Sequence, residues 1–245
     1  MKKIAILLSL IVSANAQYLE FDGTNDYIEA TDKSFPMGSE VRTAAMWIKT
    51  TQTGEKYFFC YGKDDTQYQR WSIGISNGHN LVEFNNASVH SEKIVNDGLW
   101  HHIAASYDGT NMNIYVDGAK ESLSGDINVT FDTKSSGKVL IGDNSDTSVP
   151  AGSYRFKGSI DEVSVFNKAL SADEILELYK SGSELNLISN SGDYVSSSNL
   201  VGYWRFNEGT GTTVGDASSK GNDGTIYGAN WIDGESSFND KGTKA

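Results

Sequence analysis

The feature that most constrains the fold is the segment 100–123, where apolar and polar residues alternate around tight turns. Every second residue is apolar in 103–107 and again in 112–116, and a period of two indicates β-strands with one face in a core. Asp117-Gly118 favours a type I′ turn, in which both central residues need positive φ. The segment therefore predicts antiparallel strands in a sheet that has one face in the core and the other in solvent.

Short strands of the same kind recur along the chain, separated by turns rich in Gly, Asn, Asp, Ser and Thr. They are predicted at residues 18–22, 26–29, 157–166, 200–206 and 225–231. The chain has 25 Gly and only 2 Pro, a composition typical of many strands joined by tight turns. The apolar residues of 157–166 fit no single alternation, which predicts a β-bulge near Asp161. The whole pattern predicts an all-β protein.

One short helix interrupts the strand pattern. Ser171 fits the N-cap position, and Glu174, three residues later, completes a capping box. Leu170 before the cap and Ile175 after it are placed to form a hydrophobic staple. Gly182 is placed to end the helix. We therefore predict one short helix on the C-terminal side of the main group of strands.

The first residues of the chain have the features of a secretory signal peptide. Lys2 and Lys3 precede an apolar run at 4–12, and residues 14–16 match a small-x-small cleavage site. The apolar run is too short to span a bilayer, and no later stretch approaches about eighteen apolar residues. These features predict a secreted or cell-surface protein that does not insert into a membrane.

Charge and motifs exclude several classes of function. The formal net charge is −12, which disfavours nucleic acid and anionic membranes as partners because like charges repel. Cys60 is the only cysteine, so no internal disulfide can form, and its apolar surroundings predict a buried, inert thiol. His101 and His102 are adjacent on a strand, so their side chains point to opposite faces and cannot share a metal ion. The sequence has no serine nucleophile motif, P-loop or dinucleotide-binding fingerprint, and we predict no catalytic residues.

Four stretches together resemble the laminin-G-like jelly-roll family of concanavalin A-like lectins and glucanases. They are YLEFDGTNDYIE (18–29), DGLWHHIAASYDGTNMNIYVDG (97–118), GSIDEVSVFNKALSADEILELY (158–179) and NLVGYWRFNEGTGTTVGDASSKGNDGTIYGANW (199–231). The resemblance implies a two-sheet antiparallel jelly-roll sandwich, secretion, and adhesive or sugar-binding work. It often implies a calcium ion as well. Family members occur beside enzymes without being catalytic themselves.

The order of these stretches departs from that of the family, in which the YWRFNEGTGTT stretch precedes the FDGxxDYIE stretch. We divide the chain into a signal peptide (1–16), a laminin-G-like domain (17–182), a polar linker (183–199), a C-terminal strand segment (200–235) and a flexible tail (236–245). The strand segment either completes the sandwich as a circular permutation or begins a partial second repeat that pairs with another copy. We favour completion, because an apolar strand left alone would be an exposed sheet edge.

Oxygen-bearing side chains around the first turn form a candidate calcium site, since Ca²⁺ takes about six to eight oxygen ligands. Asp22, Asn25 and Asp26 surround a glycine turn, and Asp161 lies beside the expected bulge. The resemblance assigns this role to Asp22, the Gly23 carbonyl and Asp161. The alternative is that these are ordinary turn residues that bond their own backbone. Residues 143–146 form a second acidic loop.

A second candidate site is a cluster of aromatic and polar residues that would suit a sugar. It consists of Tyr61, Asp64, Asp65, Tyr68 and Arg70. Aromatic rings stack on the apolar faces of sugars, while carboxylates and guanidinium groups bond the hydroxyls. Tyr68 and Arg70 are expected to be exposed. The tryptophans at 71, 100 and 204 are expected in the core.

The sequence favours a secreted, non-catalytic module that recognises extracellular carbohydrate or glycoprotein with the help of a structural calcium ion. One alternative is a structural or adhesion repeat that self-associates through its C-terminal strand. The other is a glycan hydrolase. Hydrolases that resemble this fold use an E-x-D-x-x-E strand, and Glu20-x-Asp22-x-x-Asn25 lacks the final acid.

Overall fold

The computed structural model describes residues 17–63, 69–84, 87–125, 130–144, 150–182 and 185–234. The predicted signal peptide (1–16) and tail (236–245) lie outside these ranges. The strands are β1 Gln17–Asp22, β2 Tyr27–Ala30, β3 Arg42–Lys49, β4 Lys56–Gly62, β5 Arg70–Ser76, β6 His79–Glu83, β7 Ser88–Ile94, β8 Trp100–Tyr107, β9 Met112–Val116, β10 Ala119–Lys120, β11 Leu123–Gly125, β12 Val139–Ile141, β13 Lys157–Phe166, β14 Leu200–Trp204, β15 Thr213–Val214, β16 Gly224–Tyr227 and β17 Asn230–Asp233. The α-helix, α1, is Ala172–Ser181.

The strands form two antiparallel sheets. The first has eight strands in the order β10-β9-β8-β3-β13-β1-β17, with β14 also paired to β13. The second has nine strands in the order β11-β7-β6-β5-β4-β12-β2-β16-β15. The predicted two-sheet antiparallel jelly-roll sandwich with one short helix is confirmed within the described residues. In that part of the chain, no helix is long and apolar enough to cross a lipid bilayer.

The main core fills the space between the sheets. It includes Leu19, Ile48, Ile103 and Ile160 from the eight-stranded sheet, and Ile28, Phe59, Ile73 and Val82 from the nine-stranded sheet. Arg42 is buried in the same layer, where its guanidinium donates to the Tyr61 hydroxyl at 2.8 Å and to the Thr133 hydroxyl at 2.9 Å. These bonds offset the cost of removing a charge from water. Cys60 is buried, as predicted.

A second core lies on the outer face of the eight-stranded sheet. There α1 covers Ala104 of β8 and Tyr115 of β9, which are both buried in one cluster with Ile175 of the helix. The expectation that this part of the sheet has one solvated face is therefore wrong. Alternation within each strand cannot reveal that a later helix packs on the polar side. The turn prediction is confirmed, since φ is 52° at Asp117 and 76° at Gly118.

The predicted helix and the predicted β-bulge are both confirmed. Ser171 and Glu174 form the reciprocal capping box, and Gly182 follows the helix with φ of 54°. The register between β13 and β3 shifts between Asp161 and Ser164. The polar linker was predicted at 183–199, and its described part, from residue 185, packs on the second core. It contributes Leu185, Leu187 and Tyr194, all of them buried.

The C-terminal strands pair with strands of the same chain. β14 pairs with β13, β16 with β2, and β17 with β1. The predicted single strand at 225–231 is in fact two strands in different sheets, because the chain turns at Gly228, where φ is 79°. We propose on these pairings that residues 200–234 complete the domain that begins at residue 17.

Candidate functional site

The predicted sugar cluster does not form as expected. Tyr61 is only 1% exposed, and its hydroxyl accepts from Arg42 at 2.8 Å and donates to the Pro36 carbonyl at 3.0 Å. Its ring packs in the main core, so it presents no face to a ligand. The strand alternation of β4 continues through this residue, which is why it points inward.

Arg70 was expected to be exposed, and this expectation is wrong because the residue is 1% exposed. Its Nη2 donates to Oε2 of Glu83 at 2.6 Å, and the same carboxylate oxygen accepts from the Tyr57 hydroxyl at 2.9 Å. Glu83 of the neighbouring strand β6 thus binds the guanidinium of Arg70 against the outer face of the sheet. Asp64, Asp65 and Tyr68 lie outside the described residues.

A pair of carboxylates meets at Tyr57. Its hydroxyl lies 2.8 Å from Oε1 of Glu55 and 2.9 Å from Oε2 of Glu83. Burial, followed by the charges of these two carboxylates, raises the pKa of Tyr57 far above its ordinary value of 10.0. The phenol therefore stays protonated and acts as a hydrogen-bond donor. A neutral phenol is a weak nucleophile, so this arrangement suits a structural role for Tyr57.

In the candidate calcium loop, both acidic side chains accept hydrogen bonds from backbone N–H groups of the same loop. Oδ2 of Asp26 accepts from the backbone N–H of Asp22 at 2.7 Å, and Oδ1 of Asp22 accepts from the N–H of Thr24 at 2.6 Å. Burial raises the pKa of Asp26, and the bond from the Asp22 N–H and the charge of Arg155 offset only part of this shift. Asn25 is exposed beside them, and the Gly23 turn has φ of 80°.

Asp161 does not join this loop. In the pairing of β1 with β13, Asp22 lies opposite Lys157, which is four residues before Asp161. At about 3.3 Å per residue, this register separates the two positions by about 13 Å along the strand. The site that the resemblance implies from Asp22, Gly23 and Asp161 together is therefore wrong in geometry. Among the described residues, no three His, Cys, Asp or Glu side chains are grouped as metal ligands.

The second acidic loop forms an ion pair. Oδ2 of Asp143 lies 3.0 Å from Nε of Arg155, and Nη1 of the same arginine donates to the Thr24 carbonyl at 2.8 Å. Arg155 thereby connects the second loop to the candidate calcium loop.

Two tyrosines form an aromatic platform beside these loops. Ile28 and Ile226 point into the main core, so Tyr27 and Tyr227 on the same strands point outward from the nine-stranded sheet. Their rings are stacked, with centroids 4.6 Å apart and planes 10° apart. Tyr227 is 43% exposed. We call this pair the tyrosine platform.

Charged groups surround the tyrosine platform. The guanidinium of Arg155 lies 5.1 Å from the ring centroid of Tyr27. One strand away, Nζ of Lys138 donates to Oε2 of Glu29 at 2.9 Å. An exposed ring with a rim of charged donors and acceptors can bind a ligand that has both an apolar face and hydroxyl groups.

Sequence reasoning missed the tyrosine platform. The outward direction of Tyr27 followed from the alternation around Ile28, and that signal was available. The partner Tyr227 could not be identified, because β2 and β16 come from opposite ends of the chain and only the sheet order makes them neighbours.

The tryptophan predictions are confirmed at two positions of three. Trp71 and Trp204 are fully buried. Trp100 is partly exposed and lies on the outer face of the eight-stranded sheet, where its ring meets Tyr18 edge-on at 5.3 Å. The expectation of a core position for Trp100 is wrong because its strand begins beyond the area that α1 covers.

Comparisons with solved structures agree with this fold. A proposed carbohydrate-binding protein from Bacteroides ovatus has a TM-score of 0.66 and 19% identity, over 90% of this chain and 60% of its own. This chain thus spans less than two thirds of the length of that protein. A pentraxin from Limulus polyphemus has a TM-score of 0.55 and 15% identity, over 69% of this chain and 83% of its own. The carbohydrate-binding module CBM40 of a Ruminococcus gnavus sialidase has a TM-score of 0.52 and 18% identity, over 66% of this chain and 97% of its own.

No curated protein sequence matches the chain. The family model of the concanavalin A-like lectin/glucanases superfamily, with the short name Laminin_G_3, matches residues 22–176. This match covers more than half of the chain and agrees with the two-sheet sandwich described above. The protein therefore belongs to the concanavalin A-like lectin/glucanase superfamily, as a laminin-G-like member.

Proposed function

We propose that this protein is a secreted, non-catalytic module that binds extracellular carbohydrate or the glycan of a glycoprotein at the tyrosine platform. The observation that carries the proposal is the 43% exposure of Tyr227, whose ring is held by stacking on Tyr27. Fixing an aromatic ring in advance lowers the entropy lost when a ligand binds. An exposed, fixed ring suits the apolar face of a pyranose.

The rim of the platform supports the same ligand class. Arg155 donates hydrogen bonds and Glu29 accepts them, so both kinds of partner for a sugar hydroxyl lie beside the rings. Two of the similar structures are named for carbohydrate binding, the protein from Bacteroides ovatus and the sialidase module from Ruminococcus gnavus. At 19% and 18% identity, these two similarities support a shared fold alone, and the ligand class for this chain is our proposal.

We further propose that calcium, where it binds, is held by the loop 22–26 without Asp161. In this loop the carboxylate of Asp26 accepts from the backbone N–H of Asp22. Arg155 connects the loop to the tyrosine platform, since it donates to the Thr24 carbonyl and lies 5.1 Å from the Tyr27 ring centroid. A calcium ion there would fix the loop beside the platform. Its chemical role would be structural.

The proposal is tested by binding of the purified protein to a glycan array, followed by titration calorimetry with the strongest ligand. Tyr227→Ala should weaken binding about tenfold or more, because it removes the exposed ring face. Tyr227→Phe keeps the ring and should retain most of the affinity. Ile188→Ala, a change at another exposed apolar residue, serves as the surface control.

The outcome that overturns the proposal is equal affinity of the wild type and Tyr227→Ala for the same glycan. Steady release of reducing sugar by the wild type, abolished by Glu20→Gln, would instead favour the hydrolase alternative.

A further inference from the structure

A second polar surface lies on the outer face of the eight-stranded sheet, away from the tyrosine platform. Strand register aligns five outward-facing residues in one row across β17, β1, β13, β3 and β8. They are Asn230, Glu20, Ser159, Lys49 and Trp100, in that order. Neighbouring strands lie about 4.8 Å apart, so the row is about 19 Å long.

The first four residues of this row, from Asn230 to Lys49, line a groove with a volume of about 420 Å³. Its lining includes Glu20, Asp22, Lys49, Lys157 and Ser159, and we call it the Glu20–Lys49 groove. The volume lies in the range of about 300–1,000 Å³ that is usual for small-ligand sites. The helix α1 covers a different part of the same face.

Gly158 allows β13 to approach β3 closely beneath the groove. A Cβ atom at this position would lie 2.2 Å from the Lys49 carbonyl oxygen, and φ is 146°. On the same face, the rings of Tyr18 on β1 and Trp100 on β8 meet edge-on, with centroids 5.3 Å apart and planes at 83°. Neither ring lines the groove, whose floor is polar.

The charges of the groove balance locally. Glu20 and Asp22 supply two carboxylates, and Lys49 and Lys157 supply two ammonium groups, all four residues being exposed. Among the described residues, no ion pair within 4.0 Å involves Glu20, Lys49 or Lys157. A locally neutral groove is a distinct feature in a chain whose net charge is −12.

We propose that the Glu20–Lys49 groove is a second binding site and that it takes an uncharged saccharide. Carboxylates accept and ammonium groups donate charge-assisted hydrogen bonds, which are the stronger bonds available to a hydroxyl. Ser159 and Asn230, which also line the groove, add neutral partners. A ligand with net charge would meet at least two groups of its own sign.

The second site would make the chain bivalent. The tyrosine platform and the Glu20–Lys49 groove lie on outer faces of opposite sheets, so one protein could hold two glycan chains at once. Joint binding to a multivalent surface would then exceed the affinity of either site. The groove proposal rests on its own geometry and does not require the platform to bind.

The test is NMR titration of the ¹⁵N-labelled chain with lactose, maltose and cellobiose. At least one of these neutral disaccharides should shift the amide signals of Ser159 and Asn230. Lys49→Ala should weaken that response about tenfold, since a hydrogen bond to a charged group is lost. Lys120→Ala, a matched change at an exposed lysine of the same sheet, should leave it unchanged.

Tyr227→Ala separates the two proposals. The groove signals should still shift in this variant, even though platform signals such as Tyr27 no longer respond. Shifts at the groove without shifts at the platform in the wild type would overturn the proposed function and leave the second site standing. The groove proposal is overturned when none of the three disaccharides moves its signals, or when digalacturonate or chitosan dimer moves them more strongly.

Discussion

The Nδ1 atom of His101 lies 2.9 Å from Oδ2 of Asp117. This contact connects the start of β8 to the turn after β9, and Lys93 donates to the same oxygen at 2.7 Å. Burial by itself would lower the pKa of His101, but its contacts with Asp117 and Asp97 outweigh burial and raise it above 6.5. Burial by itself would raise the pKa of Asp117, but His101 and Lys93 outweigh it and lower it to about 2.

The sign of the resulting pH dependence follows from these shifts. The contribution of His101 to stability is fully present below pH 6.5. It is lost as the pH rises through the raised pKa of His101 in the folded protein. Stability from Asp117 is present above 3.8 and is lost as the pH falls toward about 2. His101→Gln should therefore cost about 1–2 kcal/mol near pH 5 and less near pH 9.

Urea unfolding at the two pH values measures the His101 effect. Asn113→Gln, at a half-buried residue of β9 that does not titrate, is the control and should show no difference between the two pH values. An equal loss of stability for His101→Gln at both pH values would contradict the charged contact.

Glu162 is a buried acid whose charge opposes folding at neutral pH. Burial raises the pKa of Glu162 from 4.5 to about 7, and the adjacent buried Asp161 is also raised. A raised folded-state pKa stabilises the protein below 4.5, and this stabilisation is lost as the pH rises toward about 7. Glu162→Gln should thus stabilise the protein by about 2 kcal/mol near pH 8 and by less near pH 5.

Thermal unfolding across this pH range tests the Glu162 prediction. The glutamine can still accept from the Tyr203 hydroxyl, which is bonded to Glu162 in the native protein. Exposed Glu92→Gln should show no comparable gain. A lower melting temperature for Glu162→Gln at every pH would mean that the carboxylate is stabilising.

Asn222 joins the C-terminal segment to the start of the domain. Its Oδ1 accepts from the Thr31 hydroxyl and the Lys33 N–H, both at 2.9 Å, and its Nδ2 donates to the Val201 carbonyl at 2.9 Å. Asn222→Ala leaves these buried groups without partners and should cost about 3 kcal/mol of unfolding free energy. Denaturant unfolding measures this loss of unfolding free energy, and Asn113→Ala, at a half-buried asparagine, is the control. A loss no larger than that of the control would show that these bonds contribute little.

The calcium proposal predicts different effects for substitutions of Asp22 and Asp161. Calcium should raise the melting temperature of the wild type, because a ligand of the native state alone stabilises it by about 2.7 kcal/mol at 100 times Kd. Asp22→Asn should abolish the increase. Asp161→Asn should retain it, because the strand register places Asp161 away from the loop. A melting temperature that does not change between calcium and chelator refutes calcium binding.

The pairing of the C-terminal strands predicts a monomer. β14, β16 and β17 already pair with β13, β2 and β1 of the same chain, so exchange of these strands between copies gains no new hydrogen bonds. Light scattering after gel filtration should give the mass of one chain over a wide concentration range. If the protein is instead a dimer, and deletion of residues 200–245 converts it to a monomer, the self-association alternative is supported.

The features that the sequence determined are local ones. The capping box of Ser171 and Glu174, the positive φ values at Asp117 and Gly118, and the bulge near Asp161 each depend on residues within a few positions of one another. Their physical causes act over one turn of helix or one pair of strands, and a short stretch of sequence contains all of them.

The tertiary structure decided what each outward face of a strand contacts. Arg70 is buried because Glu83 comes beside it on the next strand. Tyr179 of α1 packs near His102, whereas Trp100, two residues earlier on the same strand, is partly exposed. The register of β1 against β13 separates Asp161 from Asp22, while the sheet order brings Tyr227 to Tyr27. Alternation tells which residues share a face, but only long-range pairing determines what lies against that face.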